Sequence, residues 1–308
     1  MLIGLQTVIF TLIIAWFQGI SHKQPVPVPP GPPPIVNPPQ PGPPTPAPPV
    51  PPAPAREPGD GVPWVEYKTK QNTTNAGWGK VLTDIQQHLD PKHGNTYFSN
   101  DHITHGHETT HGINSDIRNN LGKRGQNGFY CLEGRAMLLY EPSLRIRQVA
   151  PLVPQSVRGG RYQLYLVQQA GQWDDMPTYI FDEWVAYING TTVGIDQIKN
   201  NLKGRGSGST SDDAIAPMEF TYYALALCRA VKQHDTNYFK ANPEFSEFVS
   251  FNVRRSALAF REAIQMKEFQ WETKLIDNFI SSADAQPLRD IAVELWGEAF
   301  CKKYLFTK

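Results

Sequence analysis

The sequence predicts an α+β domain, mainly helical, set behind an uncharged N-terminal segment and a proline-rich linker. Three observations lead there. Apolar residues recur at helical spacing through most of the chain beyond residue 62. Strand-like runs gather mainly in the stretch from Phe129 to Val153, where Pro142 and Pro151 interrupt them. Of the 28 prolines, 19 lie between Pro25 and Pro58, a tract that cannot build a core.

Leu2 to Ile20 is a run of 19 residues without a charge. That is close to the roughly 20 residues that span a bilayer, and longer than the apolar core of a cleaved signal peptide. Residues 1–21 are therefore expected to be a membrane anchor, with a signal peptide ending near Gly19-Ile20-Ser21 as the alternative. An exported domain held off a membrane surface is expected, although Lys23 follows the apolar run and orients it only weakly. Residues 22–61 are the linker. The proline tract has no aromatic residue and only Arg56 and Glu57 as charges, so it is expected to be a disordered polyproline II tether. At roughly 3.1 Å per residue it would reach about 100 Å.

Residues 62–308 are long enough for a domain with its own core. The chain carries 29 basic and 29 acidic residues and shows no basic stripe, which argues against a nucleic-acid partner. Cys131, Cys228 and Cys301 are far apart, which argues against a thiolate metal site; buried small apolar residues are the expected role.

Within the domain, Val81, Leu82, Ile85 and Leu89 predict a helix over Trp78–Leu89, ended by Asp90-Pro91. Asn95–Phe98 is a candidate short strand. Ser99, Asn100 and Asp101 are all good capping residues for a helix that runs to about Leu121, with Gly122 as its stop. Ala136–Tyr140 is strand-like, and Arg161–Gln169 fits strand or helix. Asp174-Asp175-Met176-Pro177 signals another helix start, and Gly190 its stop. Beyond a Gly/Ser-rich loop, helices are predicted over 214–233, 244–266, 270–281 and 287–302.

The strongest chemical signal is a histidine cluster. Four of the eight histidines fall between His102 and His111, and His107-Glu108-Thr109-Thr110-His111 has the form H-E-x-x-H. On a helix this puts two imidazoles one turn apart on one face, the spacing for one metal ion, with a carboxylate beside them to activate a water. At about 100° per residue, His107, His111, Asn114 and Arg118 form one stripe, and Gly106, Thr110, Ile113 and Ile117 form a second, suited to packing. A catalytic zinc needs a third protein ligand. A histidine six residues after His111 would make a metzincin, but Ile117 stands there and Asn114 replaces the required glycine. The better candidate is Glu183, in a helix whose Phe181, Trp184, Val185 and Ile188 predict burial; a carboxylate there needs a partner, and a metal is one. Ala186 is small enough to let the motif helix approach. Pairing of Glu183 with an arginine, or Asp182 as the ligand instead, are the alternatives.

With His107, His111 and Glu183 as ligands, the chain resembles the gluzincins, zinc peptidases with H-E-x-x-H on one helix and a glutamate ligand on a following one. The resemblance covers about residues 101–189 and rests on the motif at 107–111 and E-x-x-A at 183–186. Tyr187 stands where some members have an aspartate that supports a zinc histidine. The resemblance implies a zincin-like catalytic domain with one Zn²⁺ per chain, a peptide or protein substrate, and Glu108 as general base. It also implies an oxyanion donor. Tyr187 and Tyr179, one turn either side of Glu183, are the first choices, with Tyr222, Tyr223, His234 and Arg118 behind them. Asn114 is expected to orient a ligand histidine, and His102 and His105 to lie at the surface or rim. The expected function is a membrane-tethered zinc peptidase. Another zinc amide hydrolase of the cell envelope, or a non-catalytic envelope module with a structural metal, are the alternatives; a structural site has no use for Glu108.

Overall fold

The computed structural model describes residues 56–93, 100–202, 211–269 and 273–307. The expected anchor, most of the linker and the candidate strand at Asn95–Phe98 lie outside the described residues. No described helix is long and apolar enough to cross a membrane.

The described residues are mainly helical, with one small sheet. Its strands β1 (Val65–Glu66), β2 (Gln126–Tyr130) and β3 (Arg135–Tyr140) are antiparallel in the order β1-β3-β2, with Tyr130 opposite Ala136. The main helices are α1 (Gly79–His88), α2 (His102–Asn120), α3 (Tyr179–Lys199), α4 (Ser211–His234), α5 (Pro243–Ala263), α6 (Lys274–Ser281) and α7 (Gln286–Tyr304). Helix α2 carries the histidine motif. Asp101 caps it, its carboxylate accepting the backbone N–H groups of Ile103 and Thr104, two of the donors a helix start leaves unpaired. At the other end the Gly122 amide turns back to the Ile117 carbonyl.

The packing stripe of α2 does what its residues predict. Ile113 and Ile117 join Leu82 and Ile85 of α1, Tyr130 and Ala136 of the sheet and Val193 of α3 in one apolar cluster. The motif helix is thus gripped between α1, the sheet and α3. Helices α4 and α5 back α3 from the other side, where the buried Trp184 indole donates to Ser256 Oγ and the Pro217 carbonyl.

Several expectations need correction. Gly190 does not end a helix: α3 runs on to Lys199. Gly190 sits where α3 crosses α2, and a Cβ there would lie 3.0 Å from the Ile103 carbonyl oxygen and 3.4 Å from His107 Cβ. A Cβ on Gly194 would meet Ile103 Cδ1 at 2.8 Å, and one on Gly106 would meet Val193 Cγ2 at 2.8 Å. A glycine inside a helix costs about 1 kcal/mol relative to alanine; here it lets two backbones approach. His102 and His105 are buried, not at the rim, at 8% and 1% exposure. They do lie off the metal stripe, but α1 and α3 cover that side: Gln197 meets His102 Nδ1, Gln86 meets His105 Nε2 at 2.7 Å, and Trp78 packs edge-on against His105. Arg161–Gln169 is helical, a short turn at Gly160–Tyr162 leading into a π-helical turn at Gln163–Gln168. Helix α6 begins at Lys274, and the expected start at 270 lies outside the described residues; α7 is kinked at Gly297, which has φ 80°.

Filling the crossing should loosen the domain. Gly190→Val is expected to destabilise it by about 1–3 kcal/mol, the usual range for overpacking, read as a lower urea midpoint; an unchanged midpoint would mean the helices do not meet there.

Candidate metal centre

Helix α2 places the His107 and His111 rings one turn apart, with centroids 4.8 Å and Nε2 atoms 3.1 Å from each other. Helix α3 brings Glu183 across the crossing, its Oε2 3.7 Å from His107 Nε2 and 3.5 Å from His111 Nε2. Ligand atoms held at 2.0–2.1 Å around a tetrahedral ion lie roughly 3.3–3.4 Å apart. The three separations bracket that value. All three side chains are buried, and they can hold a metal ion.

The hydrogen bonding tests the fit. His111 Nδ1 donates to Asp182 Oδ1 at 2.5 Å, which assigns a proton to Nδ1 and points Nε2 toward His107. Glu183 Oε2 is buried and accepts no hydrogen bond. Two ring nitrogens and one carboxylate oxygen therefore converge, and without a metal only a proton on His111 Nε2 offsets their negative potential. A buried unpaired carboxylate costs several kcal/mol, and a cation at that point offsets it.

The surrounding residues hold each ligand by its other atom. Tyr179 donates its hydroxyl to Glu183 Oε1 at 2.6 Å and lies 3.0 Å from the Gln169 amide oxygen. Asp182, wholly buried, is turned to His111 Nδ1. Asn114 donates to the same Asp182 oxygen at 3.0 Å and accepts the Tyr130 N–H at 2.7 Å. Asn114 thus acts on His111 through Asp182. Arg118, on the same stripe, reaches Asp182 Oδ2 at 3.8 Å. Asp182 thus holds His111 from the Nδ1 side, and its sequence signal is an adjacent Asp-Glu pair in an otherwise apolar helix turn.

Tyr187 meets the His107 ring edge-on at 4.4 Å, and its hydroxyl lies 3.0 Å from that of Tyr165. The Arg161 guanidinium lies over the Tyr187 ring at 4.8 Å. Glu219 fixes Arg161, accepting its backbone N–H at 2.9 Å and its Nη1 at 3.2 Å. Neither Arg161 nor Glu219 carries a sequence pattern that points to this centre. The other candidates are not brought there: Tyr222 stacks on Phe279 in the core, Tyr223 bonds Glu219, and His234 is exposed at the end of α4.

Glu108 is 4% exposed and its Oε1 has no hydrogen-bond partner. Burial pushes its carboxyl up to about 7, with the His111 charge opposing and the Glu183 charge reinforcing the shift. Burial, helped by the charges of His111 and Arg161, holds His107 well below the usual imidazole range. Burial also disfavours charge on His111, but the carboxylates of Glu183 and Asp182 outweigh it and hold that ring well above its ordinary value.

In the metal-free protein, then, His111 keeps its second proton to higher pH than a free imidazole, and a metal must displace it from Nε2. Metal affinity is expected to rise with pH through and above neutrality, and Asp182→Asn to weaken it about 10–100-fold, both measurable by chelator competition. A pH-independent affinity would contradict the proton assignment. No protein-family model matches this chain, and no curated protein or solved structure is significantly similar to it.

Proposed function

We propose that the protein is a zinc-dependent peptidase, with His107, His111 and Glu183 as ligands and Glu108 as general base. The observation that carries this reading is Glu108 itself. It is a buried carboxylate with one uncommitted oxygen, next in sequence to a ligand and not part of the ligand triangle. A structural zinc site closes with four protein ligands and needs no base, whereas three ligands leave a position for water or substrate. Two imidazoles and a carboxylate are a common zinc donor set.

A bound zinc ion supplies Lewis acidity, which lowers the pKa of a coordinated water toward neutrality and polarises a carbonyl. Glu108 takes the proton from the attacking water on its free Oε1 and returns it to the leaving amide nitrogen. Asp182 keeps the His111 proton on Nδ1, so that Nε2 stays available as a ligand. Tyr179 keeps Glu183 turned toward the histidines. Tyr187, which packs against the His107 edge with Arg161 over its ring, donates its hydroxyl to the developing oxyanion in this reading. The uncharged segment at residues 2–20 and the proline tract support a domain tethered to a membrane and acting on peptide or protein outside it.

Glu108→Gln keeps the shape of the side chain and removes the base. It is expected to retain metal and to lose about 10²–10⁴-fold in hydrolysis, measured on quenched fluorescent peptides with metal content determined on the same sample. Activity within about threefold of wild type at full metal loading would remove Glu108 from the chemistry.

A further inference from the structure

A concavity lies on the side of α3 away from Glu183. Glu183 and Thr192 are nine residues apart, which at about 100° per residue puts them on roughly opposite faces of that helix. Ile188, Thr192 and Ile195 line a cleft of about 490 Å³, closed by Lys80 of α1 and by Arg255 and Leu258 of α5. That volume is in the range of small-molecule sites.

The charges on its walls are unequally committed. Asp84 accepts the Tyr130 hydroxyl at 2.7 Å and the Glu133 N–H at 3.0 Å, Glu133 holds Arg135 at 3.0 Å, and Glu262 pairs with Lys199. The cations Arg255 and Lys80 differ. Arg255 donates to Asn189 Oδ1 at 2.7 Å and Asn252 Oδ1 at 3.1 Å, both neutral amide oxygens. Among the described residues neither Arg255 nor Lys80 forms an ion pair. Arg255 is thus held by neutral groups without a direct ion-pair partner among the described residues, and burial pushes its guanidinium below the ordinary value. A preorganised guanidinium fork suits a carboxylate.

The rest of the wall is apolar. Leu258 is 52% exposed at the rim, one of few large apolar side chains so open among the described residues. Three carboxylates nearby weigh against a dianion such as phosphate. Cys131, also in the wall, has its thiol pushed up to about 11 by burial and is inert as a nucleophile.

We propose that this cleft binds a small carboxylate-headed apolar molecule, with Arg255 and Lys80 taking the carboxylate and Ile188, Ile195 and Leu258 the apolar body. The inference does not depend on the metal centre or on the peptidase reading. Calorimetric titration of the full chain with octanoate, and with octanol as the uncharged control, tests it. Octanoate is expected to bind one per chain, at least about tenfold more tightly than octanol. Lys80→Gln, an exposed change, should weaken octanoate about threefold and leave octanol unchanged. Leu258→Asp, also at the surface, should abolish binding of octanoate by placing a carboxylate at the rim. Absence of saturable octanoate binding, equal affinity for octanoate and octanol, or full binding by Leu258→Asp would each overturn the proposal; the last would place the ligand elsewhere, including the metal centre.

Discussion

The close crossing of α2 and α3 is the contact on which the metal centre depends. A Cβ on Gly190 would crowd the Ile103 carbonyl, and one on Gly106 or Gly194 would press on a side chain of the facing helix, so the three glycines let α2 and α3 pack closely. The tolerance is small. The ligand atoms are 3.1–3.7 Å apart, and sliding one helix by a single residue moves its side chains by about 1.5 Å along the axis and swings them by about 100°. The apolar cluster of Ile113, Ile117 and Val193 beside the seam resists such a slip, because any shift opens a void or forces an overlap in a close-packed core.

On that seam the protein concentrates buried charge. Asp182 and Glu183 are wholly buried and Glu108 nearly so. Each is assigned a separate task by what it touches. Asp182 accepts the His111 Nδ1–H hydrogen bond, Glu183 is pinned by Tyr179 on one oxygen and turned to the histidines by the other, and Glu108 has an oxygen that nothing engages. Desolvating such groups costs several kcal/mol apiece, a burden that packing does not offset and a shared cation does. The same seam has a polar rung on its other side. Asn189 donates to Thr110 Oγ1 and the Tyr130 carbonyl while accepting from Arg255, so the side chain that steadies the motif helix also sets the cation in the far cleft.

Whatever depends on one helix alone was legible in the sequence. The spacing of His107 and His111, the packing stripe through Ile113 and Ile117, the Asp101 cap and the Gly122 stop all follow from backbone geometry repeated every 3.6 residues, and the structure shows each of them. Glu183 was readable for a related reason: a lone carboxylate run among Phe181, Trp184 and Val185 predicts burial, and burial predicts a partner.

What one helix cannot carry was decided by the tertiary structure. Gly190 has the same sequence signature as a helix stop and as a helix contact, and only the neighbouring Ile103 carbonyl tells them apart. Asp182 and Glu183 are equivalent in sequence; the rotation of α3 about its axis turns one to the Nδ1 side of His111 and the other to the Nε2 side. His102 and His105 look like rim residues until Gln197 and Gln86 arrive from two other helices to satisfy them in the interior. Arg161 lies in a stretch with no clear period and is set beside Tyr187 by Glu219, 58 residues further on. The sequence by itself determined which side chains share a helix face and what chemistry they offer. The structure decided which faces meet, because that choice rests on steric fit and charge pairing between segments far apart in the chain, for which local periodicity carries no information.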